Sequence, residues 1–522
     1  MGTSKWGAPL FAPAGRRLGL LTQVALALMA VVLLGGPALA RGLTIAVNSP
    51  TTTFDPSIGN SVPHQRLLTA AYETLLAIDP DTSEVIPWLA TEWSVNDDKS
   101  EYTLRLREGV LFHDGTPFDA EAVKASLERT LSIGQGESYL ISSLREVQVV
   151  SPYEVRLVLD SPQPEFLYAL TRMFMISPTA IRERPAEWFA TNEAGTGPYR
   201  LVEWVQDQRY VFEQFPEYWR GWEGPHLDSV TFRVVVEPAT QRLLLESGEV
   251  DVAENIVLDD LPALELNPAI TVARSSAPRP FYISFNVNRP PLDDVRVRKA
   301  IALALDYDAA IEIALAGYGS PMRGPVPVQF PGFNEDIEPQ QQDLEEARRL
   351  LAEAGYPEGG FSLTFLYLEH WLFERTVGLL LQDALAGLGI ELVVEGQPWA
   401  TMTARMDDPE QSPDLVMFAQ STATPSALSI LEPMYRTGSE HWSHFWYSNP
   451  DVDRLLAEAA TEVDDVRRHG LYAQIQALIV EDQPQMFVFS QDEVMTLRSN
   501  VRGYKPQFTW SKILNYYDIY VE

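Results

Sequence analysis

From residue 43 onward, segments with the alternating pattern of β-strands and segments with the three-to-four-residue spacing of helices follow one another to the C-terminus, with no fixed-period repeat and no low-complexity tract. That mixture confines the chain to the α/β class. Alternation predicts strands over 43–47, 102–106, 147–150, 155–159, 230–236, 282–287 and 363–367. Helices are predicted over 65–76, where Leu67, Leu68, Ala71, Tyr72 and Leu75 share a face, over 120–129 behind the N-cap Asp119, and over 295–305, 344–354 and 376–388. Gly355 and Gly389 suit helix stops. Gly109, Gly115 and Gly197 suit turns that need a positive φ.

One hydrophobic core seldom grows to fill 522 residues, which predicts two or more lobes. The first forty residues stand apart from the rest. Lys5, Arg16 and Arg17 precede an apolar run over 18–34, and Ala38-Leu39-Ala40 supplies small residues for cleavage, the pattern of a secretory signal peptide over 1–40. A transmembrane anchor is the competing reading, for which a run of about 17 residues is at the short end. Gly19 stands where a twin-arginine signal prefers a bulky residue, which favours the Sec route.

The chain has no cysteine, which excludes disulfides, thiolate metal ligands, a cysteine nucleophile and a lipidated cysteine at the mature N-terminus. Residues 1–40 hold three basic residues and no acidic one, so the remainder sets 36 Lys and Arg against 72 Asp and Glu, a formal charge of −36. Such a surface repels nucleic acid and anionic headgroups, and high acidity also raises solubility.

Several motifs recur in a telling order. Ala71-Tyr72-Glu73-Thr74-Leu75-Leu76 and Pro87-Trp88-Leu89-Ala90-Thr91-Glu92-Trp93 precede a stretch over 102–115 that ends Gly109-Val110-Leu111-Phe112-His113-Asp114-Gly115. Gly195-Thr196-Gly197-Pro198-Tyr199, Ser247-Gly248-Glu249-Val250-Asp251, Phe285-Asn286-Val287-Asn288, Asp294-Val295-Arg296-Val297-Arg298-Lys299-Ala300, the run over 346–355 and Asn449-Pro450-Asp451-Val452-Asp453 follow. Together they resemble the family 5 bacterial extracellular solute-binding proteins, which include dipeptide-, oligopeptide- and nickel-binding components of ABC importers.

The resemblance spans nearly the whole chain after residue 40. It implies the bilobal periplasmic-binding-protein fold of cluster C, with lobe I over 41–280, an extra subdomain inserted near 86–196, lobe II over 281–490, and a return to lobe I over 491–522. It also implies a monomeric receptor that encloses a small-molecule solute by hinge closure and delivers it to the permease subunits of an ABC importer in the inner membrane. No cofactor, metal or nucleic acid enters that role. Cleavage after Ala40, with no cysteine to lipidate, points to the periplasm.

Peptide-binding members hold their ligand with a lobe II tryptophan and an aspartate some twenty residues later. Trp399 matches the tryptophan. The following segment departs from the pattern, with Gln420 replacing a second tryptophan and Ala423 or Thr424 standing where the amine-binding aspartate belongs. A buried ammonium without a carboxylate loses several kcal/mol in desolvation against about 1 kcal/mol for a neutral hydrogen bond. Gln420, Ser421, Thr422 and Thr424 instead offer neutral donors and acceptors. Arg375 lies near the place of a carboxylate-binding arginine, and could equally be an exposed residue at a helix start. Trp442 and Trp446, in the aromatic cluster with His441 and His444, could stack on a ligand or pack the loop before Asn449. The two histidines lack the further ligands of a metal site.

A peptide-like or modified organic solute is the expected cargo, with an oligosaccharide or an opine-like sugar conjugate as the alternative. A secreted hydrolase is the competing class. The chain offers it no Gly-x-Ser-x-Gly, no His-Glu-x-x-His and no Ser-x-x-Lys in a credible setting.

Overall fold

The computed structural model describes residues 41–522 except 60, 81, 277, 407, 409–410, 421, 423, 440–445 and 507–513. The expected signal peptide, Ser421 and Trp442 lie outside the described residues. Among the described residues no helix is long and apolar enough to cross a membrane.

The fold is α/β and bilobal, each lobe built on its own sheet. A seven-stranded sheet carries, in spatial order, Ile270–Ser275, Glu493–Arg498, Val252–Ala253, Gly42–Val47, Ser229–Val234, Arg209–Gln214 and Tyr199–Val205. A six-stranded sheet carries Gly319–Pro321, Gln485–Gln491, Pro280–Phe285, Leu415–Ala419, Ser362–Leu368 and Glu391–Gln397. A four-stranded antiparallel sheet of Ala90–Val95, Glu101–Leu106, Glu154–Leu159 and Leu144–Ser151 has its own core around Leu104, Phe112, Val123 and Leu157.

The six-stranded sheet is apolar on both faces because helices cover both. All six residues of Pro280–Phe285 are buried. Phe281, Ile283 and Phe285 face a core shared with Val295–Ala304, Leu344–Glu353 and Leu372–Ala386. Tyr282, Phe418 and Phe487 point the other way, toward Ala427–Tyr435, Pro450–Thr461 and Asp465–Asp482.

Strand direction determines where a cleft can form. Gly42–Val47 is parallel to Ser229–Val234 and to Val252–Ala253. Ile270–Ser275 runs the same way, since it and Val252–Ala253 are both antiparallel to Glu493–Arg498. In the other sheet Ser362–Leu368, Glu391–Gln397, Leu415–Ala419 and Gln485–Gln491 share one direction, opposite to Pro280–Phe285. The chain passes between the sheets from Ser275 to Pro280 and returns through Asp492 alone. These short links bring the carboxyl ends of the parallel strands of one sheet opposite those of the other. Arg274 pairs with Asp492, and the Gln491 amide donates to the Arg279 carbonyl at 2.9 Å, so the two links are tied together.

Most expected elements occur within a few residues of their predicted bounds. Asp119 caps Ala120–Ile133 by accepting from the Ala122 amide at 3.0 Å, and Gly355 and Gly389 have φ of 95° and 75°. The helix expected over 65–76 is instead Val62–Ala71, and Leu76 begins a strand. The chain leaves the helix at Tyr72 to bury Glu73, whose carboxylate accepts from Trp88, Thr196, Tyr218 and Trp219. That convergence of donors overrides the apolar spacing. Gly109 and Gly115 have positive φ as expected. Gly197 does not. It is required by proximity, since a Cβ there would lie 2.5 Å from the Ala71 carbonyl carbon.

Candidate functional site

In open α/β sheets ligands bind outside the carboxyl ends of parallel strands, and here the two sets of ends border one gap. On the seven-stranded side, the loop after Val47 is pinned at several points. The Thr51 amide donates to the Tyr210 hydroxyl at 3.0 Å and the Thr51 hydroxyl to the Pro63 carbonyl at 2.7 Å. Arg129 grips both oxygens of Asp55, at 2.7 and 2.5 Å. Glu254, directly after Val252–Ala253, is buried against Arg66 at 2.6 Å.

On the six-stranded side, Trp371 and Glu374 follow Ser362–Leu368, Trp399 follows Glu391–Gln397, and Gln420 follows Leu415–Ala419. Of these, Trp371, Glu374 and Trp399 border a cavity of about 250 Å³, lined also by Leu368, Met402, Met417, Phe418 and Ala419. Trp399, 46% exposed, stands at its rim as the first residue of Trp399–Met406.

Two ionisable groups flank Trp371. Arg279, on the link into Pro280–Phe285, is half-buried. Its guanidinium lies 5.4 Å from the Trp371 ring centroid and 5.5 Å from that of Phe281, and donates to Gln491 Oε1 at 2.9 Å. Burial pulls its pKa down, and the nearby carboxylates of Glu493 and Glu374 pull the other way. Glu374 is fully buried in the first turn of Leu372–Ala386. One oxygen accepts from the Leu368 amide at 2.9 Å, and Oε1 has no hydrogen-bond partner. Burial pushes the carboxyl group up to about 8, against the pull of the Leu368 amide and of Arg279.

The structure brings Trp399 and Gln420 to this edge. Gln420 is buried, its amide donating to the Pro280 carbonyl at 3.1 Å. The Thr422 hydroxyl donates to the Thr424 carbonyl at 2.9 Å, which fixes the loop on itself, and Thr424 is buried. Arg375 is exposed and does not line the cavity. Its neighbour Glu374 does. Trp446 is half-buried with φ of 62°, and its indole N–H is buried without a partner. Among the described residues no group of three His, Cys, Asp or Glu could hold a metal.

Arg279, Trp371 and Glu374 were not found by sequence reasoning. For Glu374 a signal existed: it shares a helical face with the buried Val377, Leu381 and Leu385, where an acid is out of place. Arg279 had no such signal, since its position depends on which strands exchange between the sheets.

A further contact between the two sides comes from the four-stranded sheet. Glu165 accepts from the Tyr472 hydroxyl at 2.8 Å and from the Ser426 hydroxyl, with Arg468 Nε 4.0 Å away. Ser426 also caps Ala427–Tyr435 by accepting from the Leu428 amide at 3.1 Å.

Residues 84–442 match the family described as bacterial extracellular solute-binding proteins, family 5 middle. The chain belongs to that family. The glutathione-binding protein GsiB of Pectobacterium atrosepticum is 32% identical over 475 residues, 89% of this chain and 91% of the relative. GsiB of Escherichia coli O157:H7 is 31% identical over 477 residues, 89% and 92% of the two chains. Among solved structures, the ABC transporter substrate-binding protein CtaP of Listeria monocytogenes superposes with a TM-score of 0.84 at 23% identity, covering 92% of this chain and 99% of its own. This family 5 protein is a solute-binding protein.

Proposed function

We propose that the receptor takes a small peptide-like solute with a free carboxylate, bound by Arg279 where the carboxyl ends of the two sheets meet. The observation that carries this reading is the Arg279 guanidinium itself, half-buried on the link between the sheets, with one donor engaged by Gln491 and the rest of its planar fork available for a bidentate pair. The relatives named as glutathione-binding proteins support a peptide-like cargo.

In this reading lobe I is residues 41–280, with a subdomain near 86–196, lobe II is 281–490, and 491–522 returns to lobe I. Residues 276–279 and 492 act as the hinge. Trp399, Gln420, Thr422 and Thr424 supply further contacts from lobe II, and Ser421, Trp442 and Trp446 remain candidate contacts on the strength of their sequence positions alone. The protein works in the periplasm as a monomer after cleavage behind Ala40, without a lipid anchor, and hands its solute unchanged to the permease.

Calorimetry on residues 41–522 with reduced glutathione, and with its double carboxamide, tests the carboxylate. The acid should bind at least tenfold more tightly, and Arg279→Gln should erase that preference, since removing one partner of a desolvated charged pair costs about 2–5 kcal/mol. Equal binding of acid and amide by the wild type would overturn the assignment.

A further inference from the structure

We infer that the cavity between Trp371 and Trp399 is an ammonium subsite, in which Glu374 accepts hydrogen bonds from a primary-amine group of the solute. The inference deepens the peptide-like reading and rests on the gap between the sheets being the solute site. It starts from a buried carboxyl group with one oxygen left without a partner, which an ammonium beside it would hold in the ionised form. Glu374 is wholly buried and lines the cavity, and while one oxygen holds the Leu368 amide, Oε1 has no donor. A glutamine would hold Leu368 equally well without placing an acid in an apolar wall, so anchoring the turn does not explain the second oxygen.

The rest of the wall is what an alkylammonium group requires. Trp371 and Trp399 put two aromatic rings in the wall, a setting that favours a cation. Leu368, Met402 and Phe418 offer apolar contact to the carbons that carry it. A cavity of about 250 Å³ fits a side group and not a whole solute, so the remainder must extend toward Arg279 and the other sheet. Arg279, 5.4 Å from the Trp371 ring centroid and outside the cavity lining, would repel the same ammonium but attract a carboxylate. A zwitterionic amino-acid head group satisfies both. The amine-binding carboxylate missing near residue 423 is thereby supplied from another element, the helix Leu372–Ala386.

The test separates this subsite from the carboxylate assignment. Crystals of residues 41–522 are soaked in n-butylammonium chloride and, separately, in n-butanol. The cation should occupy the cavity with its nitrogen in hydrogen-bond range of Glu374 Oε1, and the alcohol should not. In parallel, glutathione and N-acetylglutathione are titrated into the wild type and Glu374→Gln, with the variant's fold checked by circular dichroism. The wild type should prefer the free amine at least tenfold and the variant by less than twofold. An empty cavity, equal occupancy by the alcohol, or an amine preference that survives in Glu374→Gln overturns the subsite. If neither peptide binds, the soak still decides it, and only the choice of peptide fails.

Discussion

Glu165 and Tyr472, 307 positions apart in sequence, are joined by a 2.8 Å hydrogen bond from the phenol to the carboxylate. Glu165 follows the four-stranded sheet, and Tyr472 sits within Asp465–Asp482, which packs on the six-stranded sheet. With Ser426 donating to the same carboxylate, the contact joins the four-stranded side to the helices of the six-stranded sheet. Hydrogen bonds to a charged group contribute about 1.5–3 kcal/mol each where water is excluded. The neighbouring Lys99–Asp465 pair, with Asp465 largely exposed, is worth at most about 1 kcal/mol.

Glu165→Gln is therefore expected to shift the unliganded protein toward an open form and to weaken solute binding by about 5- to 150-fold, the range of a coupling of about 1–3 kcal/mol. Lys99→Ala should change neither by more than about twofold. Small-angle scattering reads the first effect and calorimetry the second. If Glu165→Gln leaves both the radius of gyration and the affinity unaltered, the contact does not govern closure.

The Arg66–Glu254 pair makes a stability prediction instead. Its side chains are 3% and 1% exposed at 2.6 Å separation, so Arg66→Met leaves a carboxylate buried without its charge partner. The expected cost is about 3–5 kcal/mol, read as a lower urea midpoint. Arg66→Met with Glu254→Leu should recover most of it. A double variant as unstable as the single one would show that the charges act separately.

Glu374 also makes stability depend on pH. Its ordinary value of 4.5 is raised to about 8 in the fold, chiefly by burial. Between those values the folded chain holds a proton that the unfolded chain has lost, so stability falls as pH rises, by up to about 1.4 kcal/mol per pH unit, and levels off above pH 8. Arg279 acts on it from the link, with Glu493 near that guanidinium, while His370 and Arg375 beside it in sequence are exposed to solvent. Urea melts of wild type and Glu374→Gln at pH 5, 6, 7 and 8 should diverge in favour of the variant as pH rises. Parallel curves would mean that Glu374 titrates near its ordinary value.

The architecture was legible wherever local pattern decides structure. Alternation marked Tyr102, Leu104 and Leu106 as one strand face, and Asp119 announced its helix, because both signals need only neighbouring residues. Tyr72 defeated the reading because its conformation is set by donors from Trp88 and from residues 196–219, which converge on Glu73 only after folding. The site follows the same division. Trp399 could be singled out from its motif and does border the cavity, whereas Arg279 and Trp371 meet through a strand crossing that no window of sequence contains.

Trp399 and Arg375, both proposed as contacts from sequence, separate in the structure and so make opposite predictions. Trp399 borders the cavity with nearly half its surface open, so truncating it removes wall from the site while disturbing little core. Aromatic anchors of binding sites commonly cost 1–2 kcal/mol or more on truncation, and Trp399→Ala should weaken solute binding about tenfold with little change in the melting temperature. Arg375 is exposed, one residue beyond Glu374 along a helix, where a 100° turn carries its side chain away from the cavity. Arg375→Ala should leave affinity within about twofold. A larger loss for Arg375→Ala than for Trp399→Ala, measured calorimetrically at equal ionic strength, would move the solute out of this cavity and onto the outer face of Leu372–Ala386.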